Sequence, residues 1–499
     1  MATNGTGTGL PGRATRIVAT IGPRAEARGA LEELLRAGAD VVRLNAAHCR
    51  PGDIARRVAR VRAAERRVGR PVGVLLDLGG PKIRVAHVRD GSTEWKVGDI
   101  VTIAPGSAPG EGHRISVTYP ALLRDLGPGD EIRIDDGKLR LSVVAKAEGA
   151  LEARVLVGGR ARAGAGVNFP SAALSAPALT AKDRRDLREG LAAGVDLVGL
   201  SFVRSAAHVL ALERLLAPLP EGTRPWVVAK VERIEAVRDL AAVARAADVL
   251  MVARGDLGVE IGLPSVPRVQ RRILSLGRRL GVPVIVATQM LESMIESPTP
   301  TRAEVSDVAG AVHDGADAVM LSGETAVGRF PLEAVAAMAE IARTAEVPDP
   351  GEPAPDLFEP SPEDFAAVLA GMACRAAILA DARAIVVFTR TGRTAKLVSK
   401  AAGPIPVLAF TPHQEVRRRL TVLRNVTSFR IADARSVEQM LRHGDAVLSR
   451  LPGFPGQTIV RLAGTALVAG ATNTVQVRRL PEARPTRRRA AGSRAQGSS

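Results

Sequence analysis

Residues 225–232 read PWVVAKVE and residues 249–255 read VLMVARG, two short apolar runs that each end in charge. Lys230 and Glu232 close the first, and Arg254, with Asp256 just beyond it, closes the second. Four to six apolar residues bounded by polar ones suit a strand buried on both faces. Working outward, six more runs have the same form: RIVATIG (16–22), DVVRLN (40–45), PVGVLLDL (71–78), LVGLSF (197–202), PVIVATQ (283–289) and AVMLSGE (318–324). Ala, Leu and Arg-rich helical stretches separate most of them, the alternation of a parallel βα repeat. Eight such strands predict an α/β fold built on a TIM (β/α)8 barrel. In that architecture the C-terminal strand ends gather on one face, so the polar ends of the eight runs are expected to form one site.

The gap between the third and fourth runs is too long for a single helix. Residues 85–180 carry short alternating runs (VTIAP, HRISV, DEIRI, KLRLSVV, LEARVLVGG) broken by PGD, DDG and GG turns, which predicts an inserted β domain acting as a lid over the mouth. The barrel is then expected in two parts, 13–84 and 181–345. A Pro-rich and acidic link after residue 345 introduces a C-terminal αβ domain over 346–480, with strands AIVVF, PVLAF and TIVRLAG. Residues 1–12 and the basic tail 481–499 are expected to be disordered.

Composition narrows the function classes. The net charge of +17 is spread as Arg along the chain, and aromatics make up only 2% of residues, too few to stack bases, so nucleic acid is not the expected partner. No apolar run reaches the ~20 residues of a membrane span, and the first residues lack a signal-peptide pattern, so a cytoplasmic protein is expected. Cys49 and Cys374 stand alone and read as packing residues.

The strand ends assemble a chemistry. Glu232 and Asp256, on adjacent strands, offer two hard oxygen ligands of the kind that hold Mg²⁺ while leaving its other positions to water and substrate. Lys230 points into the same mouth, where an ammonium can neutralise a phosphoryl group in transfer. Arg43 and Asn45 end the second strand. Asp77, then Lys82 and Arg84, follow the third, and guanidinium forks suit a phosphate-rich substrate. Thr288 and Ser322 supply hydroxyls. In the C-terminal domain Thr389, Thr391, Gly392, Arg393 and Thr394 make a turn suited to wrapping a phosphate.

The stretches TRIVATIGP, VVRLN, AKVE, MVARGDLGVE, ATQMLESM, PTRAEVSDVAGAVHDGADAVMLSGETA and TRTGRTAKLVSK resemble the pyruvate kinase family over residues 15–478. The resemblance implies transfer of a phosphoryl group from phosphoenolpyruvate to ADP, giving pyruvate and ATP, with Mg²⁺ or Mn²⁺ as cofactor. It implies that Glu232 and Asp256 hold the metal, and that Lys230 and Arg43 meet the phosphoryl group. The Gly255 and Asp256 amides and the Thr288 hydroxyl would take the substrate carboxylate, and Thr288 and Ser322 would belong to a proton relay. Asn45, His48 and Arg84 would face the nucleotide. Asn45, Asp77, Leu78 and Lys82 would form the monovalent-cation region. It also implies a homotetramer and a phosphorylated effector at the Thr389–Thr394 loop.

Four departures stand out. The family's serine is Ala47, its lysine is Gly79, and its basic residue before GVN in the lid is Ala165, while a glutamate has become Lys82. The Lys82 ammonium is expected near Asp77, supplying the charge that K⁺ provides in many relatives, so that K⁺ is not required. The losses at Gly79 and Ala165 motivate one rival, a regulatory paralogue without turnover. A Mg²⁺-dependent lyase or aldolase barrel is another, and the lid and the third domain argue against it.

Overall fold

In the computed structural model the described residues are 12–482, apart from 28, 171, 173, 348–357, 359, 361–362, 468–469 and 471. The segments 1–11 and 483–499, which include most of the two stretches expected to be disordered, lie outside the described residues.

Eight parallel strands close a barrel: β1 (Arg16–Thr20), β2 (Val41–Asn45), β3 (Gly73–Asp77), β4 (Leu197–Leu200), β5 (Trp226–Val231), β6 (Val249–Ala253), β7 (Val284–Ala287) and β8 (Ala318–Leu321). Each strand pairs with its sequence neighbours, and β8 returns to β1 through Arg16 opposite Ala318. The strands are mostly apolar because both faces are covered. Val18, Val41, Leu75, Val228, Met251, Ile285 and Met320 fill the interior, and the alternate residues meet the surrounding helices. All eight expected runs hold strands; β2 and β3 run through to their polar ends, Asn45 and Asp77, whereas β6, β7 and β8 stop before Arg254, Thr288 and Ser322. After β6 the chain enters a helix, α1 (Arg254–Ile261), at once, so Asp256 lies in a helical first turn. An acidic side chain at that position is favoured by the helix dipole.

Between β3 and β4 lies a six-stranded sheet together with a two-stranded ribbon, Ser92–Trp95 against Gly159–Arg162. Its core is separate from the barrel's and centres on Trp95, Ile103, Leu141 and Phe169. The C-terminal domain begins with α2 (Phe365–Leu379). Its five-stranded sheet runs β11-β10-β9-β12-β13, formed by β9 (Ala384–Phe388), β10 (Val407–Thr411), β11 (Val426–Arg430), β12 (Thr458–Gly464) and β13 (Thr472–Arg479). Helix α3 (Arg393–Ala401) follows β9. Strands β11 and β13 were not foreseen. VTSFR is short and TNTVQVRR is mostly polar, as an edge strand exposed along its length can be.

This domain packs against the floor of the barrel, opposite the polar mouth. Apolar packing is continuous from the barrel interior through Trp226 to Leu397 and Val398 of α3. Charged contacts surround it: Arg418 pairs with Glu65 at 2.8 Å, and Arg16 donates from Nε to the Leu423 carbonyl at 2.9 Å.

Candidate active site

At the mouth the side chains from five strand ends converge. Lys230 Nζ lies 2.8 Å from Glu232 Oε1, 2.8 Å from Ser201 Oγ and 3.3 Å from Asp77 Oδ1. Arg43 reaches Asp77 Oδ2 from two nitrogens, at 2.8 and 2.7 Å, and Thr20 Oγ1 at 3.0 Å. These groups are nearly removed from water: the Asp77 and Glu232 side chains are 2% and 1% exposed. Burial alone would discharge Lys230, but Asp77 and Glu232 outweigh it and raise its pKa, so the ammonium is held firmly protonated. For Asp77 burial is likewise overcome, by Lys230 and Arg43, and its carboxyl is pushed down.

Glu232 behaves differently. Burial, and then the charge of Asp256, push its carboxyl up against the attraction of Lys230. Glu232 already accepts from the Phe202 amide at 2.7 Å, whereas the Asp256 carboxylate has no hydrogen-bond or ion-pair partner among the described residues. A buried carboxylate pushed up by a second, uncommitted carboxylate beside it makes a donor set that a divalent cation would relieve. The residues present therefore fit such an ion.

Thr288 and Gln289, after β7, both have positive φ, 69° and 53°. That backbone is unusual for a β-branched residue, and Arg254 holds it in place. The Arg254 guanidinium donates to the Thr288 carbonyl at 2.8 Å and to the Gln289 carbonyl at 2.9 Å, and it pairs with Asp307 at 2.7 Å. The result places Thr288 Oγ1 2.8 Å from the Gly255 amide, while the hydroxyl donates to the Ala287 carbonyl at 2.6 Å. Ser322 follows β8, its amide donating to Glu324 Oε2 at 2.7 Å.

On the opposite side, His48 sits in a field of cations. Burial first, then Arg84, Lys82, Arg43 and Lys182, lower its pKa and keep the ring neutral. Asn45 accepts from the Ala47 amide at 3.2 Å, and Arg84 donates to the Gly164 carbonyl of the inserted sheet at 2.7 Å. Leu78 contributes its carbonyl, which accepts from Ser201 at 2.7 Å. Lys82 corrects an expectation: its side chain is exposed and forms no ion pair among the described residues, and Asp77 is paired instead with Arg43 and Lys230. The reason is that those two cations reach Asp77 from within the barrel, whereas Lys82 lies beyond the tight Gly80 turn and faces the lid cleft beside Gly166. Two of the departures touch each other, since a Cβ built on Gly79 would lie 3.5 Å from the Cβ of Ala47.

Two contributors were passed over in the sequence. Ser201 joins Lys230 to the β3 end, and Thr20 holds Arg43. Both are polar residues closing an apolar run, the same signal that singled out Lys230.

Above the site, Arg133 and Asn168 of the inserted sheet reach the end of α1. Arg133 bonds the Val259 carbonyl, and Asn168 Nδ2 lies 3.4 Å from Glu260 Oε1. Glu260 also pairs with Arg233 at 2.7 Å, yet burial pushes its carboxyl up to about 7 despite that partner. The folded protein thus keeps a proton that the unfolded chain has released above its ordinary value of 4.5. Stability tied to this group is present at low pH and is lost as pH rises towards 7. The melting temperature is expected to fall between about pH 5 and about pH 7.5, and Glu260→Gln to flatten that part of the profile. Equal slopes in the two proteins would show that Glu260 titrates normally.

Comparison with known proteins places this geometry. Residues 12–335 match the family model "Pyruvate kinase, barrel domain", and residues 367–478 match "Pyruvate kinase, alpha/beta domain". Pyruvate kinase of Corynebacterium glutamicum is 42% identical over 467 residues, covering 93% of this chain and 97% of that one. The enzyme of Mycobacterium tuberculosis is 41% identical over 472 residues, covering 94% and 99%. The crystal structure of a pyruvate kinase from Cryptosporidium parvum superposes with a TM-score of 0.85 at 30% identity, over 94% of this chain and 97% of that one. With two family models spanning most of its length and relatives matched nearly end to end, the chain belongs to the pyruvate kinase family.

Proposed function

We propose that this phosphotransferase moves a phosphoryl group from phosphoenolpyruvate to ADP, with Mg²⁺ or Mn²⁺ held by Glu232 and Asp256. The observation that carries it is the placement of Lys230 among Glu232, Ser201 and Asp77, next to the uncommitted Asp256 carboxylate. A divalent cation, when bound, screens the charge on phosphate oxygens. Lys230, held protonated, faces the phosphoryl group, and Arg43, fixed by Asp77 and Thr20, holds it from the other side. An oxygen of the ADP β-phosphate bonds to phosphorus as the enol oxygen–phosphorus bond breaks, which leaves the enolate of pyruvate. Bringing like-charged phosphates together is the main barrier, and preorganised cations lower it. The substrate carboxylate takes over the Gly255 amide now bonded to Thr288, together with the Asp256 amide. Thr288 and Ser322 then lie on the path by which a proton reaches the enolate carbon. Asn45, His48 and Arg84 border the nucleotide, with His48 neutral and able to donate or accept.

K⁺ independence is part of the proposal, carried by charge and not by a contact. Lys82 contributes to the field on His48, and Ala47 and Gly79 leave no polar side chain where they meet. Pyruvate formation with Mg²⁺ is expected to run within about twofold in K⁺ and in a bulky organic cation, because a fixed ammonium does the work of the ion. A many-fold rise on adding K⁺ would discard that role for Lys82. No pyruvate in either buffer would favour the regulatory paralogue.

A phosphorylated effector is proposed at the loop of Thr389, Thr391, Gly392, Arg393 and Thr394. The loop lines a cleft with Phe388, Asp433 and Met440. Arg393 is paired there with Asp364, so an incoming phosphate competes with a carboxylate. A homotetramer is proposed too, supported by the exposed apolar stripe Phe365, Met372 and Leu379 on α2 beside Val477 of the edge strand β13. A cytoplasmic location is proposed on the family alone; among the described residues no helix is long and apolar enough to cross a membrane. The domain limits read from the sequence are kept as proposed.

A further inference from the structure

Four aspartates stand at the floor of the barrel, each directly before an even-numbered strand. Asp40 precedes β2, Asp196 β4, Asp248 β6 and Asp317 β8. Each accepts the amide of a residue in the preceding odd strand: Ile17 at 2.9 Å, Val74 at 2.8 Å, Val227 at 3.1 Å and Val284 at 2.7 Å. The ring therefore staples the strands in pairs, β1 with β2, β3 with β4, β5 with β6 and β7 with β8.

Asp40, Asp196 and Asp317 are buried and Asp248 partly so, and the four carboxylates find their cations in two different places. Asp40 pairs with Arg13 at 2.8 Å and Asp196 with Arg62 at 2.6 Å, both residues that precede β3 in the chain. Asp248 pairs with Lys396 at 3.2 Å and Asp317 with Lys400 at 2.6 Å. These two lysines belong to α3 of the C-terminal domain and lie one turn apart, so they face the same way. The same helix meets the first residue of β5. A Cβ on Gly392, where φ is +97°, would lie 2.7 Å from the Trp226 ring, and Lys396 Nζ is 5.6 Å from the ring centroid. The Lys400 and Asp317 side chains are 4% and 1% exposed, a contact too dry for exchange with solvent ions.

The division of cations matches the division of the mouth. Strands β5 to β8, whose floor ends α3 holds, carry Lys230 and Glu232, Asp256, Thr288 and Ser322 at or just beyond their other ends. Strands β1 to β4, stapled by arginines of the barrel itself, lead to Arg43, Asn45, Asp77 and Arg84. We propose that Lys396 and Lys400 are positioning residues for the half of the site that holds the metal and the phosphoenolpyruvate carboxylate, leaving the nucleotide half untouched. This rests on the assignment of that half made above. It also makes α3, which begins in the Thr389–Thr394 loop, the element through which occupation of that loop reaches the metal carboxylates. A strand four to six residues long, hydrogen-bonded on both sides, moves as a unit, so a shift at its floor arrives at its tip.

The test uses the full-length enzyme with Lys396→Gln and with the double variant Lys400→Met/Asp317→Asn. The double change removes both charges and keeps an oxygen for the Val284 amide, so no buried carboxylate is left alone. Each is expected to raise KM for phosphoenolpyruvate and the half-saturating Mn²⁺ concentration by about three- to tenfold, with KM for ADP unchanged. Lys396→Arg is expected to restore wild-type values. Mn²⁺ binding followed by electron paramagnetic resonance, without substrates, reads the same positioning and is expected to weaken by a similar factor. Joint shifts in both KM values, or unchanged Mn²⁺ binding with only a lower melting temperature, would overturn the proposal. A wild type that binds Mn²⁺ but makes no pyruvate would refute the reaction assigned above, while the Mn²⁺ comparison would still decide this one.

Discussion

Lys230→Met is expected to lower kcat by about 10³-fold or more while KM for phosphoenolpyruvate changes only a few-fold, because the charge it removes acts most strongly on the phosphoryl group in transit. The side chain has no substitute in place. Arg43 is committed to Asp77 and Thr20, and the next cation on that wall, Arg233, is paired with Glu260. Truncation also leaves Glu232 without its cation in a dry site, a change that destabilises folded proteins. Lys230→Arg separates the two effects. It keeps a charge between Asp77 and Glu232, so the melting temperature is expected near that of the wild type, while the larger planar head displaces the charge and leaves activity at least about 10²-fold down. If Lys230→Met retained activity within tenfold of the wild type, the assignment of Lys230 to the phosphoryl group would be wrong.

Asp256→Asn tests the metal site more cleanly, since the Asp256 carboxylate has no partner among the described residues. Removing a ligand should cost at least what loss of an outer-shell partner costs, so the Mg²⁺ concentration for half-maximal rate is expected to rise by about 10- to 100-fold or more. The sign of the stability change is equally informative. Asp256 pushes the buried Glu232 carboxyl up, so neutralising it relieves a repulsion. The melting temperature in metal-free buffer is expected to stay level or rise, and the protective effect of added Mg²⁺ to shrink. A lower melting temperature with an unaltered Mg²⁺ requirement would make Asp256 a structural residue of α1.

Much of this architecture was legible in the residues. Runs such as VLMVA and PVIVA are apolar on every position, which only a strand covered on both faces tolerates, and eight of them separated by helical stretches leave little choice but a closed parallel barrel. The chemistry at their tips was legible for the same reason, because a charged residue ending such a run has nowhere to go but the mouth. Lys230, Glu232, Asp256 and Arg43 were singled out that way. Ser201 and Thr20 obey the same rule and were missed because a single hydroxyl is a weak signal beside a charge. Polar edge strands gave no signal at all: β13 lies along the rim of its sheet, where nothing demands an apolar alternation.

The sequence by itself determined the barrel strands and the charged side chains at the barrel mouth, since both follow from local periodicity and from the fixed direction of parallel strands. Only the tertiary structure decided the pairings. Lys82 and Asp77 are close in the chain but do not meet; Asp77 is satisfied across the barrel by Lys230, and Lys400 reaches Asp317 from another domain. A charge pair depends on the distance between two atoms in space, and the burial that makes it strong exists only once distant segments have closed around it.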